Sequence, residues 1–182
     1  QDLVRHVAYE TLSKRERKAR HLAAAAHLEN VFADEDEVAE VLAWHYRAAF
    51  DAAPDADDAG EIRARACEML GRAGERAGSL GAPDEGQRYF DEAAELADEP
   101  SAQAQLLEQA GGLALNANRS AEARERIERA IGLFEQAGDT RAAARASAAL
   151  ADVDATDGRL DEAAARLEHA VAGLDGGEPD AV

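Results

Sequence analysis

Three stretches of the chain repeat one sparse pattern of small and apolar positions. The first runs Leu70, Ala73, Gly74, Ala77, Gly81, Gly86, Phe90, Ala93; the second runs Leu107, Ala110, Gly111, Ala114, Asn118, Ala123, Ile127, Ala130. A third is sparser: Leu150, Ala151, Gly158, Ala163, Leu167, Ala170. Small residues at three- and four-residue spacing let two helices approach closely, and the larger apolar residue fills the gap between them. Gly81, Asn118 and Gly158 are turn residues that separate the two helices of each pair. The pattern predicts antiparallel helix pairs at about 61–80 with 83–97, 101–117 with 120–136, and 139–157 with 160–174. The repeat units are then 61–97, 101–137 and 139–174.

Ahead of the repeats, Leu3, Val4, Val7 and Ala8 mark one apolar face of a helix over Asp2–Leu12. Ser13 with Glu16 three residues on is a capping box, opening a second helix that runs to about Phe32. The acidic run Asp34-Glu35-Asp36-Glu37 suits the positive end of a third helix, with Val38, Val41, Leu42, His45, Tyr46 and Ala49 along it. Ala52–Gly60 is rich in Pro, Asp and Gly and is the best internal boundary. It separates an N-terminal helical segment, 1–52, from the repeats; 175–182 reads as a flexible tail. Pro83 and Pro100 suit first helical turns, and Gly138-Asp139 is a stop–start signal.

Composition agrees with an all-α chain: Ala, Leu, Glu and Arg dominate, and aromatics are only 4% of 182 residues. Charge adds a constraint on partners. Residues 1–32 hold six Lys/Arg and four acids; subtracting that +2 from the total of −18 leaves −20 on residues 33–182. Such a surface repels phosphates and anionic lipid, so the repeats are expected to bind neither nucleic acid nor membrane. The single cysteine, Cys67, fits a reducing cytoplasm and reads as an inert, buried thiol. A start at Gln1 without Met and an end in Gly176-Gly177-Glu178-Pro179 suggest a piece of a longer protein.

Nothing in the chain reads as an active site, and neither a cofactor nor a metal is expected. Gly71, Gly74, Gly78 and Gly81 lack the spacing and the strand of a phosphate-binding loop and read as close-packing positions. His6, His21, His27, His45 and His169 have no zinc-helix spacing and read as partly buried, hydrogen-bonded side chains. Trp44-His45-Tyr46 reads as local core. The run Lys14, Arg15, Arg17, Lys18 is the strongest local charge anomaly; it is either a docking patch for an acidic surface or a solvated helix face.

The repeat residues resemble degenerate tetratricopeptide repeats. The family's first-helix Trp, Leu-Gly and Tyr positions are occupied by Leu70, Ala73-Gly74 and Ala77, then by Leu107, Ala110-Gly111 and Ala114; Asp154 stands at the tyrosine position of the third unit. The resemblance covers about 61–174 and implies a right-handed superhelix of stacked antiparallel pairs. Carried over position by position, it places Glu68, Glu75 and Ser79, then Gln105, Glu108 and Asn116, then Arg145, Asp152 and Thr156 on a partner groove. That polar, mostly acidic set lacks the Lys/Arg/Asn clamp for a terminal carboxylate, so a protein or peptide of basic or neutral polar character is the expected partner.

A second resemblance rests on Leu3–Leu12, Arg17, His21, Ala25 and Leu42-Ala43-Trp44-His45-Tyr46 with Ala49. This stretch is similar to one that closes the ATPase module of bacterial AAA/STAND-type signalling ATPases and leads into tetratricopeptide-like repeats. Those regulators carry class III adenylate or guanylate cyclase or helix-turn-helix output domains, and the Ala/Arg/Asp/Gly-rich composition resembles actinobacterial proteins. The resemblance implies a non-enzymatic protein-interaction and sensor module of a cytoplasmic signalling or transcription regulator, docked on its own ATPase module. The alternative expectation is a structural or oligomerisation arm with no groove ligand.

Overall fold

The computed structural model describes residues 11–32 and 36–175. The helix expected over Asp2–Leu12, with His6, lies almost wholly outside the described residues, as do Asp34, Glu35 and residues 176–182 of the tail. Eight α-helices, one 3-10 turn and no strand make up the described part: α1 Lys14–Val31, the turn Asp36–Val38, α2 Ala39–Ala52, α3 Ala59–Ser79, α4 Pro83–Leu96, α5 Pro100–Asn116, α6 Ser120–Gln136, α7 Thr140–Thr156 and α8 Leu160–Asp175. The fold is all-α and built of sequential helix pairs, as the periodicity predicts. Two compact units divide the chain, 1–76 and 77–182, and the division falls inside α3.

In the first unit α1 packs on α2. The capping box forms as expected: the Ser13 hydroxyl accepts the Glu16 N–H at 3.2 Å, while the Ser13 N–H donates to Glu16 Oε2 at 2.8 Å. The buried face of α2 is Ala39, Leu42, Ala43, Tyr46 and Ala49. Three helices meet at Glu29 of α1, whose Oε1 accepts from Tyr46 Oη at 2.8 Å and from Arg65 of α3 at 2.6 Å. Arg72 of α3 holds Asp36 at 2.7 Å, anchoring the start of the 3-10 turn.

In the second unit each helix from α4 to α8 packs on the next, and α5 also touches α7. The core is mostly alanine with a few large side chains: Leu107, Ile127, Phe134, Leu150 and Val153 sit among Ala104, Ala114, Ala123, Ala130, Ala142 and Ala146. Small residues permit the close approach. A Cβ on Gly78 would lie 3.1 Å from Leu113 Cδ2, and one on Gly111 only 2.7 Å from Ile127 Cγ1.

Four helix ends in this unit stop in the same way. Gly81, Asn118, Gly138 and Gly158 have φ of 76°, 61°, 75° and 79°. In each case the residue after the turn donates its N–H five residues back: Ala82 to Ala77, Arg119 to Ala114, Asp139 to Phe134 and Arg159 to Asp154, at 2.8–2.9 Å. This Schellman closure satisfies carbonyls that the ending helix would leave bare, and left-handed backbone explains why Gly or Asn stands there. The α4–α5 link differs: Ala97 and Glu99 are extended and Pro100 begins the next helix.

Of the eight residues in the first pattern and the eight in the second, all but the turn residues Gly81 and Asn118 are buried. In the third, Leu167 is 43% exposed, contrary to its expected packing role. Ile127 rests on Gly111; the position on α7 that corresponds to Gly111 is Ala151, which is 1% exposed.

Candidate functional site

The sequence-derived groove positions divide between the two units. Glu68 and Glu75 lie on α3 in the first; Gln105, Glu108 and Asn116 on α5, and Arg145 and Asp152 on α7, lie in the second. Within the second unit the structure brings two of them together. Arg145 forks onto Glu108, with Nε 3.1 Å from Oε1 and Nη2 2.7 Å from Oε2. The arginine is 57% exposed and the carboxylate 18%. The guanidinium also lies 5.7 Å from the ring of Phe134, a fully buried core residue. Glu108 is therefore neutralised by the neighbouring repeat, and the parallel two-bond geometry fixes the spacing of α5 and α7.

Gln105, Asn116 and Asp152 are exposed on the same two helices. Thr156 donates its hydroxyl to the Asp152 main-chain carbonyl at 2.8 Å, and the Asp152 side chain is exposed. In the first unit Glu68 is held by Arg65 of its own helix at 2.8 Å, while Glu75 is exposed. The polar face of α5 and α7 thus carries one internal ion pair, two amides and one open carboxylate. That inventory offers hydrogen bonds and a mild negative charge.

The basic run also separates. Lys18 is tied to Asp58 across the first unit, and Arg17 Nε donates to the Leu12 carbonyl at 3.2 Å. Lys14 and Arg15 stay exposed at the start of α1. With Lys18 they line an open cavity of about 480 Å³ against Ala52–Ala56. Of the four basic residues, Lys14 and Arg15 are thus the exposed pair, beside a cavity whose floor is the link to α3.

Sequence reasoning missed two clusters. His21 and His45 meet Nδ1 to Nδ1 at 3.1 Å, and Trp44 lies edge-on to both rings, 5.1 and 4.7 Å away. Burial pushes both imidazole pKa values down, His21 further affected by the neighbouring His45 charge. Trp44 is 57% exposed, so it is not core as expected; Leu42, Tyr46 and Ala49 claim the buried face of α2 and turn Trp44 away from it. His27 and His169 are exposed rather than packed. Burial raises the Cys67 pKa, in keeping with an unreactive thiol.

The second cluster is Asp154, fully buried and bound by three arginines. Arg124 of α6 approaches Oδ1 at 2.5 Å, Arg159 reaches the same atom at 3.2 Å, and Arg166 of α8 holds Oδ2 at 2.9 Å. The signal was present as an acid at a position where the repeats carry alanine. Among the described residues no group of three or more His, Cys, Asp or Glu could hold a metal ion, and no helix is long and apolar enough to cross a membrane.

No protein-family model and no curated relative matches the chain. Solved structures do. BtubC (BKLC) from P. vanneervenii superposes with a TM-score of 0.56 at 16% identity, over 93% of this chain and 77% of that one. The MamA protein superposes with a TM-score of 0.52 at 13% identity, over 92% and 98%. Both are tetratricopeptide-like helical-repeat structures, and the likeness shows that fold for this chain.

Proposed function

We propose that the chain is a non-enzymatic protein-interaction and sensor module of a larger cytoplasmic signalling or transcription regulator. A tetratricopeptide-like fold supports a protein-binding role at the coarse level. The polar face of α5 and α7 is the reading's binding surface, with Gln105, Asn116 and Asp152 open to a ligand and Glu108–Arg145 setting the helix spacing beneath it. A basic or neutral polar peptide suits this face, because an acidic one would meet Asp152 and a strongly negative chain. The Lys14/Arg15 pair supplies a second contact, to an acidic surface such as an adjoining ATPase module.

The observation that carries the reading is the two-bond Glu108–Arg145 pair between successive repeats: it leaves the face neither strongly acidic nor closed. A peptide array of basic, neutral polar and acidic sequences tests it. Capture of basic or neutral polar sequences is expected, with about a tenfold loss for Gln105→Ala combined with Asp152→Ala. Recovery of mainly acidic sequences would overturn it. In a full-length regulator, neutralising Lys14 and Arg15 should change output at unchanged stability.

A further inference from the structure

The outer face of α8 carries Leu160, Ala164, Leu167 and Val171, spaced four, three and four residues apart along one side of the helix. Leu160 is 67%, Leu167 43% and Val171 55% exposed. The opposite treatment of the same positions one unit earlier is informative. On α6 the counterparts of Leu167 and Val171 are Ile127, 1% exposed, and Ile131, which packs against the core; there α7 covers the helix. Ala163 and Ala170 of α8 are buried as Ala123 and Ala130 of α6 are, so the two helices sit alike on their own partners. The α8 stripe thus stands at the positions of an α6 face, Ser120, Arg124, Ile127 and Ile131, in a helix that α7 packs against.

Charge decides what kind of helix fits. Asp161 and Glu168, seven residues apart and exposed, run along the edge of the stripe and have no salt-bridge partner among the described residues. The basic residues near them are committed: Arg166 to Asp154, and Arg159 to Asp154, Asp157 and Glu162. A second copy of this chain would set Asp161 and Glu168 against the same acids, on top of a net charge of −18. A helix with Lys or Arg flanking an apolar stripe meets both features.

We propose that the α8 face docks a basic amphipathic helix, laid along α8 as α7 lies along α6. This surface is distinct from the polar face of α5 and α7, and its use does not depend on that face binding a ligand.

Two synthetic 18-residue helices with the same Leu stripe, one flanked by Lys and one by Glu, titrated into the 182-residue chain by fluorescence anisotropy, test the proposal. Expected are binding of the Lys-flanked helix about tenfold tighter than the Glu-flanked one, and loss of about tenfold on Leu167→Ser/Val171→Ser. Because both side chains are exposed, far-UV circular dichroism should show the double variant folded. Asp161→Asn/Glu168→Gln should narrow the gap between the two probes. Equal binding of both probes, or Lys-helix binding that survives Leu167→Ser/Val171→Ser, overturns the proposal. Self-association of the chain in sedimentation runs, abolished by that double variant, would assign the face to a second copy and overturn it equally.

Discussion

Gly111 of α5 sits directly beneath Ile127 of α6: a Cβ on the glycine would stand 2.7 Å from Ile127 Cγ1 and 3.2 Å from the Ala123 carbonyl oxygen. Its neighbour Gly112 has nothing within 4 Å of the same imagined atom. Adjacent glycines in one helix should therefore respond oppositely to alanine. Gly112→Ala should stabilise by about 0.5–1 kcal/mol through helix propensity. Gly111→Ala should destabilise by about 1–3 kcal/mol, because helix pairing must loosen to admit the methyl group. Thermal unfolding of the two variants, side by side, reads the difference.

Asp154 holds three arginines from three places in the sequence, and its own side chain is fully buried. Removing the carboxylate takes the buried partner from all three arginines and leaves Arg124 and Arg159 only their outer acids, Glu128, Asp157 and Glu162. Asp154→Asn is expected to cost about 3 kcal/mol, and should lower the urea midpoint far more than Asp161→Asn on the surface. Equal midpoints for the two variants would show that the cluster contributes nothing to holding α8.

The His21–His45 contact needs one Nδ1 to carry a proton and the other to be bare, so it is broken once both rings are protonated. Both pKa values are lowered in the folded chain, chiefly by burial. The unfolded rings, at about 6.5, then bind more protons than the folded ones. The pair's contribution to stability is full above about pH 6.5 and is lost as pH falls through the lower folded values. Trp44 is the chain's single tryptophan and touches both rings. Its emission should change on acidification with a midpoint below about 6.5, and the double variant His21→Gln/His45→Gln should abolish that step.

At the four left-handed turns the residue type predicts the response. Gly158, at φ 79°, should lose about 1 kcal/mol on Gly158→Ala, since a Cβ strains that conformation. Asn118 at φ 61° already bears a side chain there, so Asn118→Gly should be neutral or slightly stabilising. Denaturant midpoints of the two variants check both signs.

The helices were legible because their signals are local. Ser13 with Glu16 marks the start of α1, Pro83 and Pro100 the starts of α4 and α5, and each Gly or Asn turn the end of a helix. The small-residue pattern also identified most of the core, since alanine and glycine at helical spacing have little other use in so charged a chain. Legibility failed where the outcome depends on a partner helix. Leu167 has the spacing of Ile127, but among the described residues no helix follows α8 to cover it as α7 covers α6. Trp44 looked like core by residue type, yet Leu42 and Tyr46 had already fixed which side of α2 turns inward.

The polar face was legible as positions and not as chemistry. Glu108 and Arg145 are 37 residues apart, and nothing local announces that they pair. Once paired they cancel, so a face that reads as mostly acidic in sequence is less so in three dimensions. The same holds for the basic run of α1: Lys18 finds Asp58 forty residues on, which leaves Lys14 and Arg15 to carry its outward charge.

Burial separates the two ion-pair systems of the second unit in one further respect. Dissolved electrolyte reaches the Glu108–Arg145 fork, whose arginine is more than half exposed, and does not reach the sealed carboxylate of Asp154. At high ionic strength the fork and the open charges around it weaken while the Asp154 cluster holds. Salt is therefore a lever on the polar face of α5 and α7 that leaves the buried anchor of the last described helix in place.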